Sequence, residues 1–203
     1  MRLLRGRLDA DAQRTLVGEI VARLGDAPFF VPRMPRTGRP FSVRMSNCGP
    51  LGWVSDRTGG YRYQPLHPVT GRPWPPVPRA LLELWDDVTG YPKPPQACLV
   101  NLYTGGAKMG LHQDRDEADL DAPVLSVSLG DRARFRLGGV ARGGATRALV
   151  LESGDVLTLE GGTRLAHHGV DRVWPRTSGL LAAYPEVFPE GGRLNLTLRR
   201  VTI

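Results

Sequence analysis

Apolar positions recur at helical spacing along residues 9–24. Leu16, Val17, Ile20, Val21 and Leu24 fall on one face, and Asp9 or Asp11 can accept from the first free backbone N–H groups. The pattern predicts a helix there. A second helix is expected from about residue 79 to 88, with Pro78 near its start and Gly90 just past its end. From Ala97 the texture changes. "ACLVNLY", "VLSVSLG", "RFRLG", "ALVLESGDVLTLEGG" and "RLNLTLRR" are short runs separated by Gly-rich turns. Many short strands of this kind imply an antiparallel sandwich or jelly roll. Residues 28–78 are dense in Gly, Pro, Arg and aromatics and too irregular for long elements. They predict short strands and loops, the sort of surface on which binding residues concentrate.

Length and composition narrow this picture. The 203 residues suit one domain with a sizeable core, and neither an internal repeat nor a low-complexity linker divides them. Formal net charge is +7, and lysine occurs only at Lys93 and Lys108, so the basic residues are nearly all arginine. Arginine suits bidentate contacts to phosphate and carboxylate, and a basic balance favours an anionic partner such as nucleic acid. A genome rich in arginine codons would give the same bias. Cys48 and Cys98 make no disulfide framework. The start, "MRLLRGR", lacks the apolar stretch of a signal peptide, and no run is long enough to span a membrane. A reducing, cytoplasmic setting is expected, with no membrane partner. Nothing resembles a heptad seam, so a monomer is the default.

The chemistry concentrates in two places. In "HQD", residues i and i+2 of an extended segment share a face, so His112 and Asp114 can project together toward one metal while Gln113 points away. His168 would have to come from another strand. Two histidines and one carboxylate are the ligand set of the facial triad that holds Fe(II) and leaves positions free. A structural zinc site would be closed and would usually use cysteine. Taken alone, a His-x-Asp pair is more often an ordinary surface strand or turn. In the final strand, Arg193, Asn195, Thr197 and Arg199 alternate with Leu194, Leu196 and Leu198. One reading is a half-buried strand with a solvated face. The other is a polar pocket wall with a guanidinium for each end of a dicarboxylate. Asn101 and Tyr103, again two apart, can add hydrogen bonds from a neighbouring strand.

From about Phe41 to Arg199 the chain resembles the AlkB family of Fe(II)- and 2-oxoglutarate-dependent nucleic-acid dealkylases. The matching motifs, in the family's order, are "SVRMSNCGPLGWVSD", "YRYQPLHPVTGRPWPPVP", "ACLVNLYTGGAKMGLHQDRDEADLDAPVLSVSLGD", "HHG" and "RLNLTLR". The resemblance implies that His112, Asp114 and His168 hold iron and form the catalytic centre. It implies that Arg199 pairs with the C1 carboxylate of 2-oxoglutarate and Arg193 with the C5 carboxylate, with Asn101, Tyr103 and Asn195 adding hydrogen bonds. Trp53 would stack on the damaged base, Tyr61 and Tyr63 would line its pocket or touch the strand backbone, Asp116 would face the base edge, and Arg142 would contact the substrate.

The residue chemistry agrees with those roles. A base methylated at N1 of adenine or N3 of cytosine carries positive charge, which an aromatic face attracts and a carboxylate offsets. The ordinary readings remain a core tryptophan for Trp53 and a solvent-facing acid for Asp116. Two features depart from the family pattern. His167 precedes His168 where the family often has an aromatic; adjacent strand residues point to opposite faces, so His167 is expected to pack or support rather than bind metal. Residues 170–192 look longer than the bacterial pattern and could reshape the co-substrate entrance or a substrate lip. His67 receives no role.

The implied fold is mainly β with flanking helices: one domain over residues 1–203, a double-stranded β-helix (jelly roll) over about 97–203, and a nucleotide-recognition lid over about 28–78. The implied activity is an Fe(II)-, 2-oxoglutarate- and O2-dependent demethylation of alkylated DNA, in single strands or locally opened duplex, with RNA second. Two alternatives are an oxygenase of the same kind acting on protein or a small molecule, and a non-catalytic jelly roll that only binds nucleic acid.

Overall fold

The computed structural model describes residues 1–203. In chain order the elements are β1 (Arg2–Leu4), α1 (Ala10–Arg23), β2 (Arg44–Cys48), β3 (Gly52–Asp56), β4 (Gly60–Gln64), α2 (Arg79–Thr89), β5 (Ala97–Tyr103), β6 (Met109–His112), β7 (Val124–Gly130), β8 (Ala133–Leu137), β9 (Arg147–Leu151), β10 (Val156–Leu159), β11 (His168–Val173) and β12 (Arg193–Arg199). Both predicted helices are present. Asp9 caps α1, its side chain accepting from Ala12 N at 2.8 Å. Gly90 closes α2 in the left-handed conformation, φ +58°, which glycine adopts without a Cβ penalty.

The strands form a six-stranded antiparallel sheet, β1-β10-β7-β12-β5-β2, a four-stranded one, β6-β11-β8-β9, and the β3–β4 hairpin. This is the expected jelly roll, and the larger sheet extends beyond residues 97–203. β1 closes one edge of it, and β2, from within the predicted lid, closes the other. Strand alternation then decides where each side chain goes. On β12, Leu194, Leu196 and Leu198 face a core shared with β5, β7 and the helices, including Leu16, Ile20, Leu81 and Trp85. Each large apolar side chain buried there contributes roughly 1.5–3 kcal/mol. The opposite face of β12 looks into the space between the two sheets. A second core lies in that space, and its members Leu99, Val124, Phe135 and Leu157 share the walls of the central cavity with the polar residues.

The segment after β11 packs its apolar residues on the helix side of the larger sheet. Of residues 170–192 only Val170, within β11, lines the central cavity, while Leu181 and Phe188 are buried in the helix-side core. Buried Asp131 pins the segment, its carboxylate accepting from the backbone N–H groups of Arg176, Thr177 and Ser178 at 3.1, 2.8 and 3.0 Å. The extra residues therefore reinforce the packing of the sheet on α1. Cys48 and Cys98 face each other across β2 and β5 as buried free thiols, and burial pushes Cys48 up to about 12. No helix is long and apolar enough to cross a membrane.

Candidate active site

Between the sheets lies a cavity of about 600 Å³. His112 ends β6 and His168 begins β11, and the two are register partners across that strand pair. Asp114 follows two residues after His112. One ligand atom from each of the three lies within 4.8 Å of the others. The close approach depends on Gly169. A Cβ there would lie 2.5 Å from the Met109 carbonyl oxygen and 2.7 Å from that of Gly110.

The histidines are oriented by their own backbone. His112 Nδ1–H donates to Gly110 O at 2.9 Å, and His168 Nδ1–H to Ala166 O at 3.0 Å. That leaves both Nε2 lone pairs pointing inward, the arrangement a metal-binding imidazole needs. Each Nε2 stands 3.5 Å from a different oxygen of Asp114. Burial pushes Asp114 up, but Arg199 and the two histidines outweigh it and hold the carboxyl well below the usual carboxylate range. For His112 burial works against the charged ring, but the hydrogen bond the ring donates to Asp114, the negative charge of Asp114 and the Gly110 carbonyl outweigh it, so the net shift is upward.

A buried charged network supports this group from behind. Arg199 pairs with Asp114 at 2.7 Å and with Glu117 at 3.0 Å, and also donates to Tyr63 Oη at 3.0 Å. Arg164 pairs with the other oxygen of Glu117 at 3.1 Å and donates to the carbonyl of Asp114 at 2.6 Å. Tyr63 donates its hydroxyl proton to Glu117. Tyr63 thus sits under the metal group, held by Arg199 and Glu117, while Tyr61 lines the cavity. Trp53, the register partner of Tyr63 on the same face of the hairpin, also lines the cavity.

The rest of the β12 wall converges as expected. Arg193 is fully buried and donates only to neutral oxygens, Ser128 Oγ at 2.8 Å and the Asp131 carbonyl at 3.4 Å. Burial brings it down to about 10, against the pull of Tyr103, Asp155 and Asp131. Asn101 faces Asn195 and Tyr103 faces Arg193 across β5–β12. Burial pushes Tyr103 up to about 12, which keeps its hydroxyl a neutral donor.

Four buried polar atoms lack any partner: Asn101 Oδ1, Asp114 Oδ2, Arg193 Nε and Arg199 Nε. Unpaired buried polar groups are rare, and here all four line one cavity. Two are guanidinium donors and one is a carboxylate oxygen 3.5 Å from His168 Nε2. This set fits a divalent cation bound with a dicarboxylate.

At the mouth, Trp53 stacks on Tyr61 with ring centroids 5.6 Å apart and an interplanar angle of 22°. Its Nε1–H donates to Asp116 Oδ2 at 2.9 Å. Buried Asn47 fixes the Trp53 backbone through two hydrogen bonds of 3.1 Å. Asp116 and Arg142 line the same cavity. His167 turns away from the metal group, its Nδ1–H donating to Gly139 O at 3.2 Å. His67 is buried in a turn, where its Nδ1 accepts from Val69 N and Thr70 N, a purely structural task. Sequence reasoning missed Asn47, Glu117 and Arg164. Glu117 lies in the charged run "QDRDEAD", which reads as solvent-facing, and Arg164 carries no local signal at all.

The 2OG-Fe(II) oxygenase superfamily matches residues 1–199 of the chain. The chain is 57% identical over 196 residues to "Alpha-ketoglutarate-dependent dioxygenase AlkB homolog" of Caulobacter vibrioides, covering 96% of this chain and 84% of that protein. It is 43% identical over 168 residues to "Alpha-ketoglutarate-dependent dioxygenase AlkB" of Escherichia coli, covering 81% and 77%. The chain belongs to the AlkB family. Among solved structures it is similar to OsALKBH1, at 31% identity and a TM-score of 0.79, over 98% of this chain and 97% of that one. This AlkB-family protein is therefore an Fe(II)- and 2-oxoglutarate-dependent dioxygenase. The double-stranded β-helix, the inward-facing His–Asp–His group and the two guanidiniums that each keep an unpaired Nε are how its sequence builds that enzyme.

Proposed function

We propose that this dioxygenase removes methyl groups from ring nitrogens of nucleobases, N1 of adenine and N3 of cytosine, in DNA. The single observation that carries the reading is the Trp53–Asp116 hydrogen bond at the mouth of the cavity that holds the metal group. An aromatic platform tied to a carboxylate suits a flat, cationic base: the ring attracts the charge and the carboxylate offsets it. Tyr61 extends the platform, and Arg142 lies where a nucleotide backbone can pass.

In this reading His112, Asp114 and His168 hold the iron. Arg199 Nε meets the C1 carboxylate of 2-oxoglutarate and Arg193 the C5 carboxylate, with Asn101, Tyr103 and Asn195 completing the cradle. Bound iron and 2-oxoglutarate supply the oxidising chemistry: O2 and the keto acid yield succinate and CO2, and the N-methyl group leaves as formaldehyde. The protein's share is positioning. Arg199 keeps Asp114 anionic, the two Nδ1–H bonds keep both Nε2 atoms available, and the apolar walls keep water from the reacting carbon. The lid spans about residues 28–78, with β2 anchoring it to the larger sheet. Its free, buried cysteines suit the cytoplasm, where it works as a monomer.

The deciding experiment is anaerobic loading with Fe(II) and 2-oxoglutarate, then air, with an N3-methylcytosine oligomer. Loss of 14 mass units from the oligomer with matching succinate is expected, and Asp114→Ala should lose both. Succinate without demethylation would move the substrate to protein or a small molecule. RNA is the second reading, because a stacking pocket reads the base and not the sugar; matched DNA and RNA oligomers assayed side by side rank the two.

A further inference from the structure

The segment that carries Arg142, "GGVARGG" from Gly138 to Gly144, has little to fix its own path. Arg142 nevertheless lines the cavity. Two side chains grip the base of this loop, and each is a chain neighbour of the metal group. Gln113 stands between His112 and Asp114. Its amide nitrogen donates to Val140 O at 3.1 Å and to Leu165 O at 2.6 Å. His167 stands directly before His168. Its ring donates to Gly139 O at 3.2 Å, its backbone N–H donates to the same oxygen at 3.0 Å, and its carbonyl accepts from Gly138 N at 2.7 Å.

We propose that Gln113 and His167 are positioning residues that fix the Arg142 loop to the frame of the metal group. The two segments present alternating side chains. His112, Asp114 and His168 point to the metal, while Gln113 and His167 point to the loop. Any shift of the loop then has to break bonds to residues adjacent to the metal-binding ones. Gln113 also binds the Leu165 carbonyl three residues before His168, which ties the two segments to each other. Holding Arg142 in its bound position lowers the ordering cost of binding a nucleic-acid strand, which acts on affinity more than on the chemical step. The proposal rests on the reading of Arg142 as a nucleic-acid contact, and its test separates the two.

The loop contains its own reporter, because trypsin cleaves after Arg142. Native protein loaded with Mn(II) and 2-oxoglutarate is digested briefly, and cleavage at 142–143 is followed by mass spectrometry, with cleavage after Arg36 in the lid as the internal control. Gln113→Met should raise cleavage at 142–143 by roughly tenfold, the loss expected when side-chain hydrogen bonds are removed, without changing cleavage at Arg36. With Fe(II) and a methylated oligomer, the same variant should raise KM for the oligomer about three- to tenfold and change kcat less. His167→Phe loses only the ring bond and should give smaller shifts in the same direction, which keeps the test available if Gln113→Met does not fold. Unchanged cleavage in folded variants would overturn the clamp. Faster cleavage with an unchanged oligomer KM would overturn its role in substrate positioning. If the wild-type protein shows no saturable dependence on any oligomer, the nucleic-acid reading fails, and the trypsin result still decides whether the clamp exists.

Discussion

Arg193 shows what a single residue reveals about an absent partner. Its guanidinium is buried among neutral oxygens, one donor is unsatisfied, and burial lowers it to about 10. A cation whose pKa falls on folding destabilises the fold at every pH below that pKa, so at neutral pH this residue costs stability until an anion meets it. Arg193→Met should therefore leave the ligand-free protein as stable as before, or up to about 4 kcal/mol more so, because an apolar side chain removes an uncompensated buried charge. The same change should abolish stabilisation by 2-oxoglutarate. At a hundred times its Kd a ligand adds about 2.7 kcal/mol, roughly 5–10 °C in a chain of this size. Thermal unfolding with Mn(II), with and without 2-oxoglutarate, measures both effects; a variant that loses stability but keeps the ligand shift would remove Arg193 from the cradle. At this scale the sequence was legible where alternation or a motif marked the residue. The pair two apart in "HQD" and the polar face of "RLNLTLR" both turn inward. Tyr63 shares a hairpin face with Trp53 and Tyr61, but its hydroxyl is taken up by Glu117 and Arg199, a contact no local pattern announces. Glu117 and Arg164 were invisible because a buried ion pair between distant segments leaves no local pattern.

Among the elements, β6 and β11 carry the geometry, and Gly169 sets their separation. A methyl group at that position would press on the carbonyls of Met109 and Gly110. The Gly110 carbonyl is also the acceptor that orients His112. Gly169→Ala should thus cost about 1–3 kcal/mol in stability through overpacking. It should weaken metal binding by about 10–100-fold, the usual penalty for disturbing a ligand's orienting bond. A Mn(II) titration followed by electron paramagnetic resonance reads the second effect, and circular dichroism checks that the sheets persist. Wild-type metal affinity in a folded Gly169→Ala protein would show that the strand pair tolerates widening. α1 was legible from its helical period, α2 from Pro78 and Gly90 at its ends, and the five strand runs from the Gly-rich turns between them. The course of residues 171–192 was not. Its apolar residues, Leu181 and Phe188 among them, follow no helical or strand period, and only the three-dimensional packing assigns them to the helix-side core.

For the whole molecule, the question is whether its formal +7 charge serves substrate binding or is only composition. The jelly roll itself does not answer, since the same sheets could enclose a small-molecule site. The distribution of roles does give a distinguishing expectation. In the proposed function Trp53 stacks on the base and carries no charge, whereas Arg142, which lines the cavity, is the proposed phosphate contact. Affinity for a single-stranded oligomer should fall with salt, and the logarithmic slope should shrink by about 0.7 for each phosphate contact removed. Arg142→Ala should therefore weaken binding and flatten the slope by about that amount. Trp53→Ala should weaken binding by roughly 1–3 kcal/mol, the usual cost of losing a base–aromatic stack, while leaving the slope unchanged. Fluorescence anisotropy of a labelled methylated oligomer from 50 to 300 mM salt, in the presence of Mn(II) and 2-oxoglutarate, measures all three proteins under one condition. Parallel lines for all three would mean that the positive charge near the cavity takes no part in holding a nucleic acid. A flatter line for Arg142→Ala alone would separate the two contributions: charge holds the strand, and the aromatic platform selects the base.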